Sequence, residues 1–302
     1  MELICPSCRR QGERGLELYT VDPAGPDLVA CRGCARTYPV IDGIPVLFRD
    51  AARADHFGLL ARLGPVEALS ALGSAGPDGS ALPHMLDQLS TYLETWRTGF
   101  DALAERLRMR PRTRLSLELG CGAGRALFEL ARTSERAVGL DHSGSLLRAA
   151  RVLLRGEEFP YARRMAGHAY APATARAPGG VENVELICAD ALEVPLAPGQ
   201  FDRVVALNLL DNVASPRALL HQLHQLAAPG GEILLCSPFS WRDEIVASAD
   251  RIGGTEPASA LRDEVTALGW SIEEEADLPW TLRRDSRSST TYQVHWLTGR
   301  RR

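Results

Sequence analysis

From Arg114 onward the apolar residues fall into runs of two kinds that alternate along the chain. Stretches at 115–119, 137–140, 184–188, 201–207, 232–237, 271–276 and 290–297 are short and dense in Leu, Val and Ile or alternate apolar with polar, which predicts strands. Between them, residues 124–132, 144–154, 216–226 and 258–268 repeat their apolar positions at three and four, which predicts helices. Such alternation builds βαβ units and a mostly parallel sheet covered on both faces, and it excludes a helical bundle.

Upstream the pattern changes twice. Between residues 51 and about 110 it is helical, with Leu82, Met85, Leu86, Leu89, Leu93 and Trp96 on one stripe and a flexible interruption at 73–80. Residues 1–49 are rich in turn formers and end in Tyr38-Pro-Val-Ile-Asp-Gly-Ile-Pro-Val-Leu47, where two short apolar runs flank Asp42-Gly43, a hairpin signal. The expected organisation is a small β module over 1–49, a helical linker or cap over 50–110, and an α/β domain over 111–302. Within that domain, residues 156–180 carry Tyr161, His168 and Tyr170 among several Pro, Gly and Ala. The stretch is too long for an ordinary connection, and reads either as a surface loop or as a lid or substrate wall.

Composition narrows this picture little. A chain of 302 residues with 45% hydrophobic and 24% charged side chains fills one large core and a small module. A net charge of −4 gives no global attraction to phosphate backbones or anionic membranes, although a local basic patch stays open. All 34 basic residues are arginine, a compositional bias from which no function is drawn. No apolar run approaches the roughly 18 residues of a membrane helix, and Met1-Glu2-Leu3-Ile4-Cys5 lacks the build of a signal peptide, so a cytoplasmic protein is expected.

Cysteine changes the picture more. Four of the seven cysteines form Cys5-Pro-Ser-Cys8 and Cys31-Arg-Gly-Cys34, two pairs on tight turns that close a tetrahedral zinc site when they meet. Four thiolates leave no open position, so the metal is structural and supplies much of the folding energy of so small a module. The 22 residues between the pairs slightly exceed the common spacing and imply a longer hairpin. The competing reading, a redox dithiol, lacks the βαβ surroundings of such centres.

The strongest chemistry lies where the first strand of the α/β domain meets its helix. Glu118-Leu-Gly120-Cys-Gly122-Ala-Gly124 gives a tight turn, close ligand approach and helix N–H groups aimed into the gap. The dinucleotide fingerprint is missed, because Arg125 stands where its third glycine belongs. Asp141 ends the second strand about twenty residues on, where open α/β sheets place an acid for ribose hydroxyls, and Asp190 follows the third strand in Cys188-Ala-Asp-Ala191. Glycines as a mere turn and acids as surface caps would account for any one of these residues, but not for their joint pattern at strand ends.

With these residues the chain resembles the class I S-adenosylmethionine-dependent methyltransferases over about residues 90–302. The resemblance implies a Rossmann-like seven-stranded α/β sheet whose last strand forms an antiparallel hairpin at the sheet edge. It also implies that Glu118, Gly120, Cys121, Gly122 and Gly124 hold the methionine end of S-adenosylmethionine, Asp141 with His142 the ribose, and Asp190 with Ala191 the adenine, while Asn208 lines the methyl-transfer face. Residues 1–49 resemble the Trm112-type zinc ribbons, a family that includes activating partners of methyltransferases of tRNA, rRNA and release factors. Here the ribbon is fused in cis, which favours stabilisation or substrate docking.

The second half, through Asn208-Leu-Leu-Asp211, Pro229-Gly-Gly-Glu232, Ser237-Pro-Phe-Ser-Trp-Arg242, Gly253-Gly254 and Leu278-Pro-Trp280 with Arg283 and Arg287, is similar to the 4-mercaptohistidine N1-methyltransferase family of ovothiol biosynthesis. That family often forms part of a larger synthase and is not associated with a ribbon. This resemblance implies N-methylation of a small-molecule imidazole, with Asn208, Asp211 or Tyr161 orienting the ring, Arg283 or Arg287 holding a carboxylate, and Trp241 and Trp280 stacking. The two tryptophans serve equally as core packing, and His221 and His224 as surface residues. An alternative acceptor is rRNA, tRNA or a translation factor, favoured by the ribbon and by Arg283, Arg284, Arg287, Arg300, Arg301 and Arg302, and opposed by the acidic balance. A third reading is a scaffold of the same fold without activity.

Overall fold

The computed structural model describes residues 2–8, 19–49, 82–167 and 169–302. The helical pattern expected over 51–81, with its interruption at 73–80, and His168 lie outside the described residues.

Seven strands form the central sheet: β5 (Thr113–Leu119), β6 (Ser134–Asp141), β9 (Val184–Cys188), β10 (Phe201–Leu207), β11 (Ala227–Ser237), β12 (Trp270–Arg283) and β13 (Ser289–Arg301). Their order is β12-β13-β11-β10-β5-β6-β9, with β13 antiparallel to both neighbours and the others parallel. The expected α/β class holds. The expected antiparallel hairpin, β12–β13, lies at the sheet edge, with β13 inserted between β11 and β12 and pairing with β11 from Glu232↔Arg300 to Ser237↔His295. The physical reason for that order is burial: Val294, Trp296, Leu297 and Thr298 are all inaccessible, which an edge strand does not provide.

Side chains alternate faces with the two-residue period of a strand. Val204 and Ala206 of β10, with Ile233 and Leu235 of β11, face α5 (Pro216–Leu226) and α6 (Pro257–Ala267). Val205 and Leu207, with Leu234 and Cys236, face α2 (Asp101–Arg108), α3 (Arg125–Arg132) and α4 (Gly144–Leu154). Ser215 caps α5 by accepting from the Ala218 N–H at 3.3 Å, and Pro216 opens it, the start signals that the sequence carries.

Residues 156–180 are neither a plain loop nor irregular. They hold β7 (Glu158–Ala166) and β8 (Ala169–Arg176), a separate antiparallel hairpin in which Glu158 pairs with Arg176 and Arg164 with Tyr170. Its apolar side, Phe159, Tyr161 and Ala175, packs on α4 and on α1 (Leu82–Glu94), where Leu89 and Leu93 are buried.

The N-terminal module is a four-stranded sheet of β1 (Val21–Gly25), β2 (Leu28–Cys31), β3 (Thr37–Ile41) and β4 (Ile44–Pro45). Asp42 and Gly43 turn β3 into β4 with φ of 51° and 71°, the double left-handed turn that Asp-Gly favours. The module is not an isolated bead. Val46 bridges Cys188 in parallel at the free side of β9, the Leu47 N–H donates to the Cys188 carbonyl at 2.8 Å, and the Ile4 N–H to the Pro195 carbonyl at 2.9 Å. Cys5, Tyr38 and Leu47 join the same apolar core as Leu117 and Ile187. The module therefore covers a strand edge that would otherwise expose backbone groups.

At the opposite end of the parallel strands a buried ion cluster ties the sheet to its flanks. Arg203, fully buried on β10, donates to Glu232 at 2.6 Å and to the Pro111 carbonyl at 2.6 Å, and Arg110 binds the other Glu232 oxygen. Removing one member leaves a buried charge without its partner, which costs far more than losing a surface pair. Arg203→Leu is expected to destabilise the protein by about 3–5 kcal/mol in urea unfolding. Arg32→Ala, whose partner Asp22 is solvated, is expected to change it by less than about 1 kcal/mol.

Candidate active site

The order β9-β6-β5 runs one way from β5 and β10-β11 the other, so the chain reverses between β5 and β10 and leaves a crevice above their carboxyl ends. Polar residues lie at or just beyond four strand ends on that side. Glu118 closes β5, Asp141 closes β6, Asp190 follows β9 and Asn208 follows β10.

The glycine turn is held from below by strand backbone and from the side by a carboxylate. Gly120 and Cys121 donate to the Leu140 carbonyl at 2.7 and 3.1 Å. Asp141 Oδ2 accepts from the Gly122 N–H and Oδ1 from the Ser143 N–H, both at 2.8 Å. Asp141, the expected ribose acid, thus also fastens the turn to β6. Gly120 has φ of 75°, a backbone conformation that favours glycine, and a Cβ there would press on the Leu209 side chain at 2.8 Å. Arg125, which displaces the third fingerprint glycine, lies over the rings of Trp96 and Phe100 and pairs with Glu129 at 2.9 Å.

Glu118 is buried, and its Oε2 has no hydrogen-bond partner among the described residues. Burial, reinforced by the charge of Asp141, pushes its carboxyl up to about 8. Asp211, in the turn after β10, is also buried with Oδ1 unpartnered. Burial raises it to about 6, opposed by the backbone N–H groups of Asp211 and Ser240 and by Arg242 and Ser237. Two unpartnered buried acceptors around one crevice are what a ligand with donor groups would satisfy. Asn208 and Phe239, which follow β10 and β11, hold left-handed backbone at φ of 54° and 52°, an arrangement that clusters where strand ends present a site.

The remaining expected residues divide. Asp190 caps its own turn through the Leu192 N–H at 2.9 Å beside half-buried Ala191, and exposed His142 lies 3.6 Å from Asp141. Tyr161 is buried and donates to Glu94, which also binds Arg163 at 3.0 Å and Arg283 at 3.8 Å. Tyr161 and Arg283 therefore meet, but at a carboxylate of α1 rather than around an open pocket. Half-buried Trp241 packs beside Phe239, whereas Trp280 lies in the apolar layer against Tyr292. Arg287 sits exposed at the tip of the β12–β13 hairpin, apart from the crevice groups. His221 is exposed, and His224 leans edge-on against Trp270.

Sequence reasoning missed the contribution of α1 and the segment after it. Trp96 Nε1 donates to the Ala123 carbonyl at 3.0 Å, Glu94 gathers the three residues above, and Tyr92 packs on Gly122. Their spacing marked only a helix; nothing in it showed which part of the sheet the helix would cover.

Part of the chain is similar to known proteins. Residues 117–235 match the family model of the methyltransferase domain. A demethylmenaquinone methyltransferase of Clavibacter sepedonicus is 30% identical over 120 residues, 40% of this chain and 39% of that protein. A ubiquinone biosynthesis O-methyltransferase of Xanthomonas euvesicatoria pv. vesicatoria is 26% identical over 121 residues, 39% of this chain and 41% of that protein. The chain thus spans about two fifths of the length of the curated relatives it matches. Among solved structures, a chain of the complex between the Haloferax volcanii Trm112 methyltransferase activator and a methyltransferase aligns with a TM-score of 0.49, 17% identity and coverage of 70% of this chain and 92% of that one. The N-methyltransferase NodS of Bradyrhizobium japonicum, bound to S-adenosyl-L-homocysteine, aligns at 0.43 with 17% identity over 66% of this chain and 84% of that one.

In the N-terminal module, the sulfurs of Cys5, Cys8, Cys31 and Cys34 lie within 4.8 Å of one another, with Cys5 to Cys34 at 3.9 Å and Cys8 to Cys31 at 3.6 Å. These separations match the edges of a tetrahedron of about 2.3 Å metal–sulfur bonds and exceed a disulfide. Gly33 and Cys34 direct backbone N–H groups at the Cys31 sulfur, and Tyr38 lies 3.0 Å from that of Cys5, contacts that favour thiolates. A cavity of about 850 Å³ opens elsewhere, between the module and β9, lined by Ile44, Pro45, Arg151 and Glu185.

The elevated carboxyl of Glu118 gives a signed prediction. Its folded-state value lies above the unfolded 4.5, so the folded state binds the extra proton and stability falls as pH rises from about 4.5 to 8. Glu118→Gln removes that dependence. Its thermal midpoint is expected to gain on the parent protein steadily between pH 5 and pH 8, measured by calorimetry without ligand.

Proposed function

We propose that this chain is an S-adenosylmethionine-dependent methyltransferase whose acceptor is a small molecule with an imidazole nitrogen, of the histidine or mercaptohistidine kind. Support for the donor comes from the methyltransferase-domain match across the crevice and from the fit of the residues there. A tight turn of glycine and small residues suits the methionine arm, the unpartnered oxygen of Glu118 suits a cationic or hydroxyl donor group, and Asp141 and Asp190 follow the second and third parallel strands, the positions that the resemblance assigns to ribose and adenine. Bound there, the donor supplies a methyl group on a sulfonium, so the protein's task is chiefly alignment.

The acceptor reading rests on Asp211. Its free Oδ1 lies within the crevice-facing turn after β10 and is ionised near neutrality, so it accepts the N–H of a neutral imidazole and leaves the other ring nitrogen's lone pair for attack. Asn208 and Trp241 flank that position from the ends of β10 and β11. Tyr161 and Arg283 act one step away, by fixing Glu94 and α1. Arg287, at the hairpin tip, and Trp280, in the apolar layer, stand away from that position. We further propose that the four cysteines hold one structural zinc ion and that the module braces β9 and the Asp190 turn, through Val46, Leu47 and the Arg49–Glu193 pair at 3.3 Å.

A macromolecular acceptor is the second reading, favoured by the exposed Arg284 and Arg287 on the β12–β13 tip, which would meet phosphates of rRNA or tRNA.

Incubation with isotopically labelled donor separates the acceptors. Mass spectrometry is expected to show one methyl gained by 4-mercaptohistidine or a histidine derivative; label retained on RNA with no gain on any imidazole would remove the small-molecule reading. For the metal, elemental analysis is expected to find close to one zinc per chain, released by Cys8→Ser together with a lowered unfolding temperature.

A further inference from the structure

Helix α1 enters the crevice from outside the βα repeats, and one of its residues is placed differently from the rest. Trp96, just beyond the helix, is tied to the glycine turn through the Ala123 carbonyl, and Glu94 is tied to Tyr161, Arg163 and Arg283. These contacts fix the end of α1 over the turn. Tyr92 lies between them, with its ring so near the bend that a Cβ on Gly122 would stand 3.2 and 3.3 Å from the ring carbons Cδ1 and Cε1. The ring is only half-buried, although its neighbours Leu93 and Glu94 are closed off from solvent.

The hydroxyl is the informative atom. No described residue is hydrogen-bonded to it, yet it stands in the field of three crevice groups, Asp141, Asp211 and Arg242. Burial and the two carboxylates push the phenol up to about 12, so it is neutral and retains a proton to donate. An aromatic ring against a glycine bend, its hydroxyl in the field of two acids, has no hydrogen-bond partner among the described residues. The bend it covers is the one that holds the methionine arm in the reading above, and that arm ends in a carboxylate.

We propose that Tyr92 is a donor-binding residue that closes over the amino-acid arm of the methyl donor, its ring packing on that arm at Gly122 and its hydroxyl donating to the arm's carboxylate. This rests on the donor assignment made above and adds a specificity element to it. Glu94 and Trp96 are positioning residues that hold Tyr92 in place.

Two ligands that differ only in the arm test this in the full chain. S-adenosylhomocysteine carries the amino-acid arm, and 5′-methylthioadenosine lacks it. Calorimetric titration is expected to show Tyr92→Phe weakening S-adenosylhomocysteine by about tenfold or more, the range for a hydrogen bond to a charged group, with 5′-methylthioadenosine binding unchanged. Tyr92→Ala is expected to extend the loss for the first ligand alone, with the thermal midpoint of the ligand-free protein reporting that both variants fold. Equal weakening of both ligands, or parent-like affinity for S-adenosylhomocysteine in both variants, would overturn the assignment. Parent protein that binds neither ligand would instead sink the donor reading, and Tyr92's role with it.

Discussion

Two hydrogen bonds to one carboxylate hold the crevice together. Parallel strands end by presenting backbone donors with no ladder partner, and a turn of small residues cannot supply acceptors from its own side chains. Asp141 answers both needs at once, taking the Gly122 N–H on one oxygen and the Ser143 N–H on the other. The glycine turn above β5 and the start of α4 after β6 are thereby registered to the same atom group. Each carboxylate oxygen keeps a second lone pair, so fastening the turn does not exhaust the residue's capacity to accept from a ribose.

The molecule separates stability from chemistry along its strands. At the amino ends of β10 and β11 the charges are paired and buried, with Arg203, Arg110 and Glu232 closing on each other and on the Pro111 carbonyl. At the carboxyl ends the acids Glu118 and Asp211 keep unpartnered oxygens. An unpaired buried acceptor is costly, and such groups persist in a native crevice where a ligand supplies the missing donor. The roof is assembled from three distant parts of the chain, α1, the β7–β8 hairpin and the β12–β13 hairpin. They are joined at Glu94, at the Asp87–Arg164 pair, and where the Ser286 N–H donates to the Met165 carbonyl at 2.9 Å. Tyr161 and Arg283 belong to this joint, so their route to the crevice runs through the position of α1.

The expectation that changed has a physical cause. Residues 156–180 carry Pro and Gly in a pattern that hides strand alternation, and the hairpin is stabilised by its packing of Phe159 and Tyr161 on α1 and α4, which no local signal encodes. The terminal hairpin was expected at the sheet edge and lies there, with β13 on the inner side of β12. Whether a terminal hairpin adds outward or folds back depends on which of its strands is apolar on both faces, and only the burial of Trp296 and its neighbours against β11 decides that.

What the sequence determined alone was everything governed by short range. Period fixed strands and helices, with 144–154, 184–188, 201–207 and 216–226 matching α4, β9, β10 and α5. Asp-Gly set the β3–β4 turn, the paired Cys-x-x-Cys turns marked the sulfur cluster, and the acids placed after successive strands marked the crevice. Tertiary structure decided which groups face one another: Tyr92 against Gly122, Trp96 against Ala123, and Glu94 between two hairpins. These contacts join residues far apart in the chain, and their energies depend on packing and desolvation that exist only after the layers close. The same closure turns Glu118 and Asp211 from ordinary acids into unpartnered ones, a property of their surroundings rather than of their position in the chain.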